Sequence, residues 1–112
     1  MREPTFLVLI KLRPVPGRRE ELMDLLRSVQ RHATLMSGCR DCLVLEERCS
    51  DQPTILYLQR WESRTALNRH VQSQRYMQLL YAMDLADAPP QISFCEVSGE
   101  TGPECIQASR QA

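Results

Sequence analysis

Between Ile55 and Leu80 an apolar run, Ile55-Leu56-Tyr57-Leu58, passes through Gln59-Arg60-Trp61-Glu62 directly into Ser63-Arg64-Thr65-Ala66-Leu67-Asn68-Arg69-His70, with Ser73 and Tyr76 beyond. A strand therefore ends in the chain's single Trp, and a helix carrying His70 starts with almost no connection. Any fold must accommodate that junction. It also gathers the few residues capable of polar or aromatic chemistry at one strand end and the helix after it.

The chain's 112 residues suit one domain with one modest core. Apolar residues make up 43% and charged residues 25%, the balance of an ordinary globular protein. Fourteen basic and 14 acidic side chains cancel, so no electrostatic footprint for nucleic acid or an anionic membrane is expected. Met1-Arg2-Glu3-Pro4 leads into an apolar run, Phe6 to Ile10, that is too short to span a bilayer or to act as a signal peptide. A cytoplasmic location is the expectation.

The five cysteines, Cys39, Cys42, Cys49, Cys95 and Cys105, are odd in number and argue against a disulfide framework. Cys39-Arg40-Asp41-Cys42 is a lone C-x-x-C. A redox pair normally sits at a helix N-terminus that lowers its thiol pKa. This pair instead follows a helix and enters a strand, and a zinc site would need two more ligands than lie near it in sequence. No metal site is expected. The plainer role is that of small apolar residues at a strand start.

Thr5 to Arg13 has the pattern of a strand, with Phe6, Val8, Ile10 and Leu12 on one face and Leu7 and Leu9 on the other. Pro14, Pro16 and Gly17 end it. Gly17 to Met36 fits a helix whose stripe is Leu22, Leu25, Leu26, Val29, Ala33 and Met36, stopped by Ser37-Gly38. Glu20, Glu21 and Asp24 suit its N-terminal dipole, whereas Arg18 and Arg19 do not. Cys42 to Arg48 and Thr54 to Glu62 should pair as an antiparallel hairpin about a turn at Ser50-Asp51-Gln52-Pro53. Ser63 should cap the next helix, with Leu67 and Val71 inward and His70 beside them. Ser73 should cap a further helix with the stripe Tyr76, Met77, Leu80 and Met83, broken by Ala88-Pro89-Pro90. Gln91 to Val97 completes the strands, with Ile92 and Phe94 alternating.

The order strand, helix, strand, strand, helix, strand is the ferredoxin-like βαββαβ arrangement. It is an α+β fold with a four-stranded antiparallel sheet and helices on one face. Residues 1–98 would form the domain, and residues 99–112, with Gly99, Gly102 and Pro103, an arm or flexible tail. Helices on one face leave the other exposed, yet Leu7, Leu9, Leu43, Leu45, Leu56 and Leu58 load both faces with apolar groups. Such a patch marks a partner surface, and the simplest partner is a second copy, sheet against sheet. A homodimer is the expectation.

From about Thr5 to Ser98 the chain resembles the antibiotic biosynthesis monooxygenase domain family, small dimeric α/β barrels. The matching pieces are Pro16-Gly17-Arg18-Arg19-Glu20-Glu21-Leu22 at the first helix start and Ser37-Gly38-Cys39 before the second strand. The strongest is Arg60-Trp61-Glu62 with Ala66-Leu67, His70, Ser73 and Tyr76. The resemblance implies oxygenation of electron-rich aromatics such as quinols and anthrones, often without metal or flavin: the substrate supplies the electrons, and the protein supplies shape, proton handling and water exclusion. Trp61 matches the Trp that ends the third strand in the family, and His70 matches a common His on the following helix. Where polyketide oxygenases carry an Asn four residues before that Trp, Tyr57 stands here. Haem-degrading relatives carry an Asn in the first strand, and Phe6-Leu7-Val8-Leu9-Ile10-Lys11-Leu12 has none, so haem is not expected. Arg75 stands near the place of a second His.

The candidate catalytic residues are thus His70, as proton handler, and Trp61. Tyr57, Trp61, Tyr76 and Tyr81 are the candidates for holding a small aromatic ring. Each also has a plainer role. Trp61 can anchor the helix to the sheet, His70 can hydrogen-bond its surroundings, and the tyrosines can fill space. Met23, Met36, Met77 and Met83 suit gap filling, and His32 lies off the main stripe. Two other functions use the same cavity: a non-catalytic or stress-associated binding protein, and an isomerase or lyase of a related dimeric barrel.

Overall fold

The computed structural model describes residues 4–48, 51 and 53–111. Its elements are β1 (Thr5–Leu12), α1 (Arg19–Leu35), β2 (Cys39–Glu46), β3 (Ile55–Trp61), α2 (Arg64–Gln72), α3 (Tyr76–Met83), β4 (Gln91–Val97) and α4 (Glu104–Gln111). The strands form one sheet in the order β2-β3-β1-β4. Every neighbouring pair is antiparallel. This is the ferredoxin-like α+β fold expected from the order of the elements.

Strand periodicity divides the sheet into two faces. Phe6, Val8, Ile10 and Leu12 of β1 and Ile55, Tyr57, Gln59 and Trp61 of β3 point inward, all buried. They meet Leu22, Met23, Leu26, Val29 and Ala33 of α1, Ala66 and Leu67 of α2, and Leu79 and Ala82 of α3. Burying one such aliphatic side chain contributes about 1.5–3 kcal/mol, so this single layer supplies most of the folding drive. Gln30 Nε2 donates to the Cys42 carbonyl at 2.8 Å and ties α1 to β2. The two arginines at odds with the α1 dipole have partners: Arg18 donates to Glu21 at 2.7 Å, and Arg19 pairs with Glu46 on β2.

The structure shifts several expected details. β2 begins three residues earlier, at Cys39, with a register irregularity between Cys39 and Asp41. That extra residue brings Cys39 onto the same face as Cys42, opposite Trp61 and Gln59 respectively. On α2 the inward set is Ala66, Leu67 and His70, while Val71 is exposed. Ser73 does not cap α3: its hydroxyl donates to the His70 carbonyl at 2.6 Å and closes α2. Arg75 precedes α3 without a side-chain cap. The inward stripe of α3 is Leu79 and Ala82, with Met77 and Leu80 exposed. Five of the eight residues in Tyr76–Met83 are Leu, Met or Ala and two more are Tyr, so periodicity alone allows more than one phase. Packing against α1 selects the phase, and Ser28 Oγ donates to Gln78 Oε1 at 3.0 Å across that seam. Of the expected turn at 50–53, Ser50 and Gln52 lie outside the described residues.

Gly38 makes the sharpest backbone demand. Its φ of +91° lies in the left-handed region, and an added Cβ would stand 2.4 Å from Ala66 Cβ. Its carbonyl accepts from Glu62 N at 2.8 Å. A residue without a side chain thus lets the start of β2 pass close to α2.

The other sheet face carries Leu7, Leu9, Leu56 and Leu58, all half-buried, with Leu43 and Leu45 exposed. On edge strand β4, Ile92 and Phe94 oppose Ile10 and Val8, yet both are exposed because the helices do not cover that edge. The expected arm holds a helix, α4, exposed along its described length. The Cα radius of gyration is 16.0 Å, against about 13 Å for a compact chain of this size. Among the described residues no helix is long and apolar enough to cross a membrane.

Candidate functional site

β3 brings Tyr57, Gln59 and Trp61 onto one face because strand side chains alternate. Ser63 then caps α2: its hydroxyl accepts from Ala66 N at 3.2 Å, fixing the helix start two residues after Trp61. His70 falls one turn beyond Ala66 and points back over the strand end. Its ring stacks on Trp61, with centroids 4.9 Å apart and planes at 26°. Tyr76, the first residue of α3, meets the imidazole edge-on at 5.3 Å. Such ring pairs contribute about 0.5–1.5 kcal/mol beyond their buried area.

A hydrogen-bond network runs under the rings. Trp61 Nε1 donates to Gln59 Oε1 at 3.2 Å. Gln59 Nε2 donates to Tyr57 Oη at 2.7 Å and lies 3.1 Å from His70 Nε2. Tyr57 Oη is hydrogen-bonded to Cys42 Sγ at 3.2 Å. Gln59 and His70 are each 1% exposed, and Tyr57 and Trp61 are fully buried. One polar atom of the cluster is left over: His70 Nδ1 is buried with no partner. An unpaired buried group of this kind costs about 1–3 kcal/mol.

Burial sets the protonation states. It pushes the His70 pKa down to about 4, so the ring is neutral at pH 7. It raises the Tyr57 and Tyr76 phenols, which stay protonated. It pushes the Cys39 thiol up to about 11 and also raises Cys42. Neither thiol of the C-x-x-C pair has the lowered pKa of a redox nucleophile. Among the described residues no group of three His, Cys, Asp or Glu side chains comes together to hold a metal ion.

Of the five expected site residues, the structure brings together Tyr57, Trp61, His70 and Tyr76. Tyr81 lies apart, 53% exposed on the outer side of α3. Sequence reasoning missed Gln59 and Cys42. The period of two that puts Tyr57 and Trp61 on one strand face also puts Gln59 between them on the same buried face, a polar residue where an apolar one would be ordinary. A cleft of about 470 Å³ opens beside the α2 N-terminus, lined by residues including Thr5, Arg40, Glu62 and Ser63. None of the five expected residues lines it.

Residues 5–79 match the family model described as antibiotic biosynthesis monooxygenase. The fold is similar to that of Rv0793 from Mycobacterium tuberculosis, with a TM-score of 0.77 and 23% identity over 88% of this chain and 99% of that one. It is also similar to a conserved protein from Methanosarcina mazei, with a TM-score of 0.75 and 20% identity over 86% and 95% of the two chains. A third similar structure, from Nitrosomonas europaea and described as a candidate antibiotic biosynthesis monooxygenase, has a TM-score of 0.75 and 12% identity over 91% and 98%. No curated protein matches the chain. With the family model matching two thirds of its length, over the strands and helices that build the buried cluster, this chain belongs to the antibiotic biosynthesis monooxygenase family.

Proposed function

We propose that this protein is a cofactor-independent monooxygenase of small quinols, phenols or polycyclic aromatics, working in the cytoplasm as a homodimer. The observation that carries the reading is the buried His70 Nδ1, a polar atom without a partner among aromatic rings. A substrate ring lying against Trp61 and Tyr57 would place its oxygen at that nitrogen and repay the cost of leaving it unpaired. Water exclusion suits the chemistry, because the substrate itself supplies the electrons to O2. In the simplest balance, a ring CH2 and O2 become a ring C=O and H2O, with no outside reductant. Tyr76, half-buried with its ring against the imidazole, is the side chain whose movement would admit the ring.

The homodimer rests on the leucine-rich outer face of the sheet, an apolar surface that a second copy would cover. A second reading, a non-catalytic binding protein or an isomerase or lyase of the same fold, is favoured by one observation. The cluster is packed shut, with Tyr57, Trp61, Gln59 and His70 at most 1% exposed. Oxygen uptake decides between them. Metal-free protein is tested against quinols, anthrones and catechols, with boiled protein as control. Protein-dependent uptake with an oxygenated product is expected, and none across the panel would remove the monooxygenase reading.

A further inference from the structure

The network around Gln59 fixes more than position. An indole nitrogen can only donate, so the Gln59 atom facing Trp61 Nε1 must be the amide oxygen. The opposite amide orientation would set donor against donor at 3.2 Å. The Gln59 NH2 group therefore points the other way, and its two hydrogens face two close acceptors, with Cys42 Sγ a more distant third at 3.8 Å. One goes to Tyr57 Oη at 2.7 Å. The other goes to His70 Nε2 at 3.1 Å. A ring nitrogen that receives a hydrogen bond carries a lone pair, so the single proton of the neutral imidazole sits on Nδ1. The buried nitrogen without a partner is thus an N–H donor.

We propose that His70 presents its Nδ1–H to an acceptor oxygen of the ligand, a ring carbonyl or phenolate, and that Gln59 is the positioning residue that holds His70 in this tautomer. This rests on the reading of the cluster as a ligand site and narrows the ligand class. A group that needs a base, such as a neutral phenol giving up its proton, finds none at Nδ1. A ketone, an anthrone in its keto form or an enolate does find a donor. For oxygenation, that donor holds the negative charge on the ring oxygen of a substrate bound as its enolate, its conjugated C–H proton already given up to solvent, the role of an oxyanion-binding N–H. The chain Trp61 to Gln59 to His70 transmits this constraint: the indole orients the amide, and the amide orients the imidazole proton.

The test reads the proton directly. Full-length protein labelled with [15N]histidine has only two imidazoles, His32 and His70. A two-bond 1H–15N spectrum at neutral pH, with His32→Gln for assignment, shows which His70 nitrogen is protonated. A proton on Nδ1 is expected, and a proton on Nε2 overturns the proposal. The same protein is titrated with 9-fluorenone and with fluorene, which share a ring system and differ in the carbonyl. Fluorenone should bind about tenfold or more tightly, the cost of one unmet buried donor, and should shift the Nδ1–H signal. Equal binding of the two, or no response to fluorenone, overturns the proposal. Gln59→Glu places an acceptor at Nε2, draws the proton there and should abolish the preference; a preference that persists in that variant with its tautomer switched counts against it. If Gln59→Glu does not fold, the wild-type spectrum and the paired ligands still decide. Oxygen uptake is a separate measurement: its failure removes the oxygenase reading and leaves the tautomer and ligand class standing.

Discussion

Acid should weaken this fold through one residue. The His70 ring is 1% exposed, and burial pushes its pKa down to about 4. In the unfolded chain the same ring titrates near about 6.5. A folded pKa below the unfolded one means that the unfolded chain takes up the proton first as pH falls. Stability is therefore full above about pH 6.5 and drains away down to about pH 4, at about 1.4 kcal/mol per pH unit, roughly 3 kcal/mol in all. The groups facing the ring do not titrate in that window, because Tyr57, Tyr76 and Cys42 are all raised. The arginine pairs of Glu21 and Glu46 hold those carboxyls below their usual range, so they weaken at lower pH. His70→Phe keeps a ring against Trp61 and removes the titration. Urea unfolding of both proteins at about pH 7 and about pH 4.5, at one protein concentration, should show the wild type losing about 2–3 kcal/mol more than the variant. A difference below about 1 kcal/mol would refute a buried neutral imidazole in the folded state.

Gly38→Ala should lower stability by about 2–5 kcal/mol, because a left-handed φ and the 2.4 Å approach to Ala66 Cβ both act against the new methyl group. Gly17→Ala, at φ +86° with nothing within 4 Å, should cost only the backbone part, about 1–2 kcal/mol. Thermal melts that rank the two the other way would contradict the close approach. Among the described cysteines, timed alkylation read by peptide mass spectrometry should modify exposed Cys105 first and buried Cys42 last; fast labelling of Cys42 would contradict its protonated, enclosed thiol. On the outer sheet face, Leu58→Lys should convert a dimer to a monomer in sedimentation while leaving the circular dichroism unchanged; a wild-type protein that sediments as a monomer would remove the sheet-to-sheet pairing.

Much of this architecture was legible because its chemistry is periodic. The period of two in Phe6–Leu12 and the apolar run leading to Trp61 marked both strands, though not which face turns inward, because both faces carry apolar groups, and Ser63 marked the start of α2 within a residue. Trp61 and His70 met because a strand end and a capped helix have few ways to join. Where local pattern was ambiguous, tertiary contact decided. Tyr76–Met83 has too few polar residues to announce its inner face, so α1 set the phase and left Tyr81 outside. Ser73 has the chemistry of an N-cap, but its hydroxyl bonds back to the His70 carbonyl instead. The role of Gln59 was out of reach of sequence, because it depends on which end of an amide faces an indole.

The two-sidedness of the sheet has a consequence for how such a protein can change. Along β3, neighbouring residues face opposite ways: Tyr57, Gln59 and Trp61 enter the cluster, while Leu56 and Leu58 look outward. A substitution at one parity alters the outer apolar face and a substitution at the other alters the buried cluster, and the two sets share a backbone but no side-chain contacts in the network. Lineages can therefore alter what the outer face meets without disturbing the imidazole. They can also remodel the aromatic cluster without changing the apolar outer face, so that a single short strand carries two independently adjustable traits.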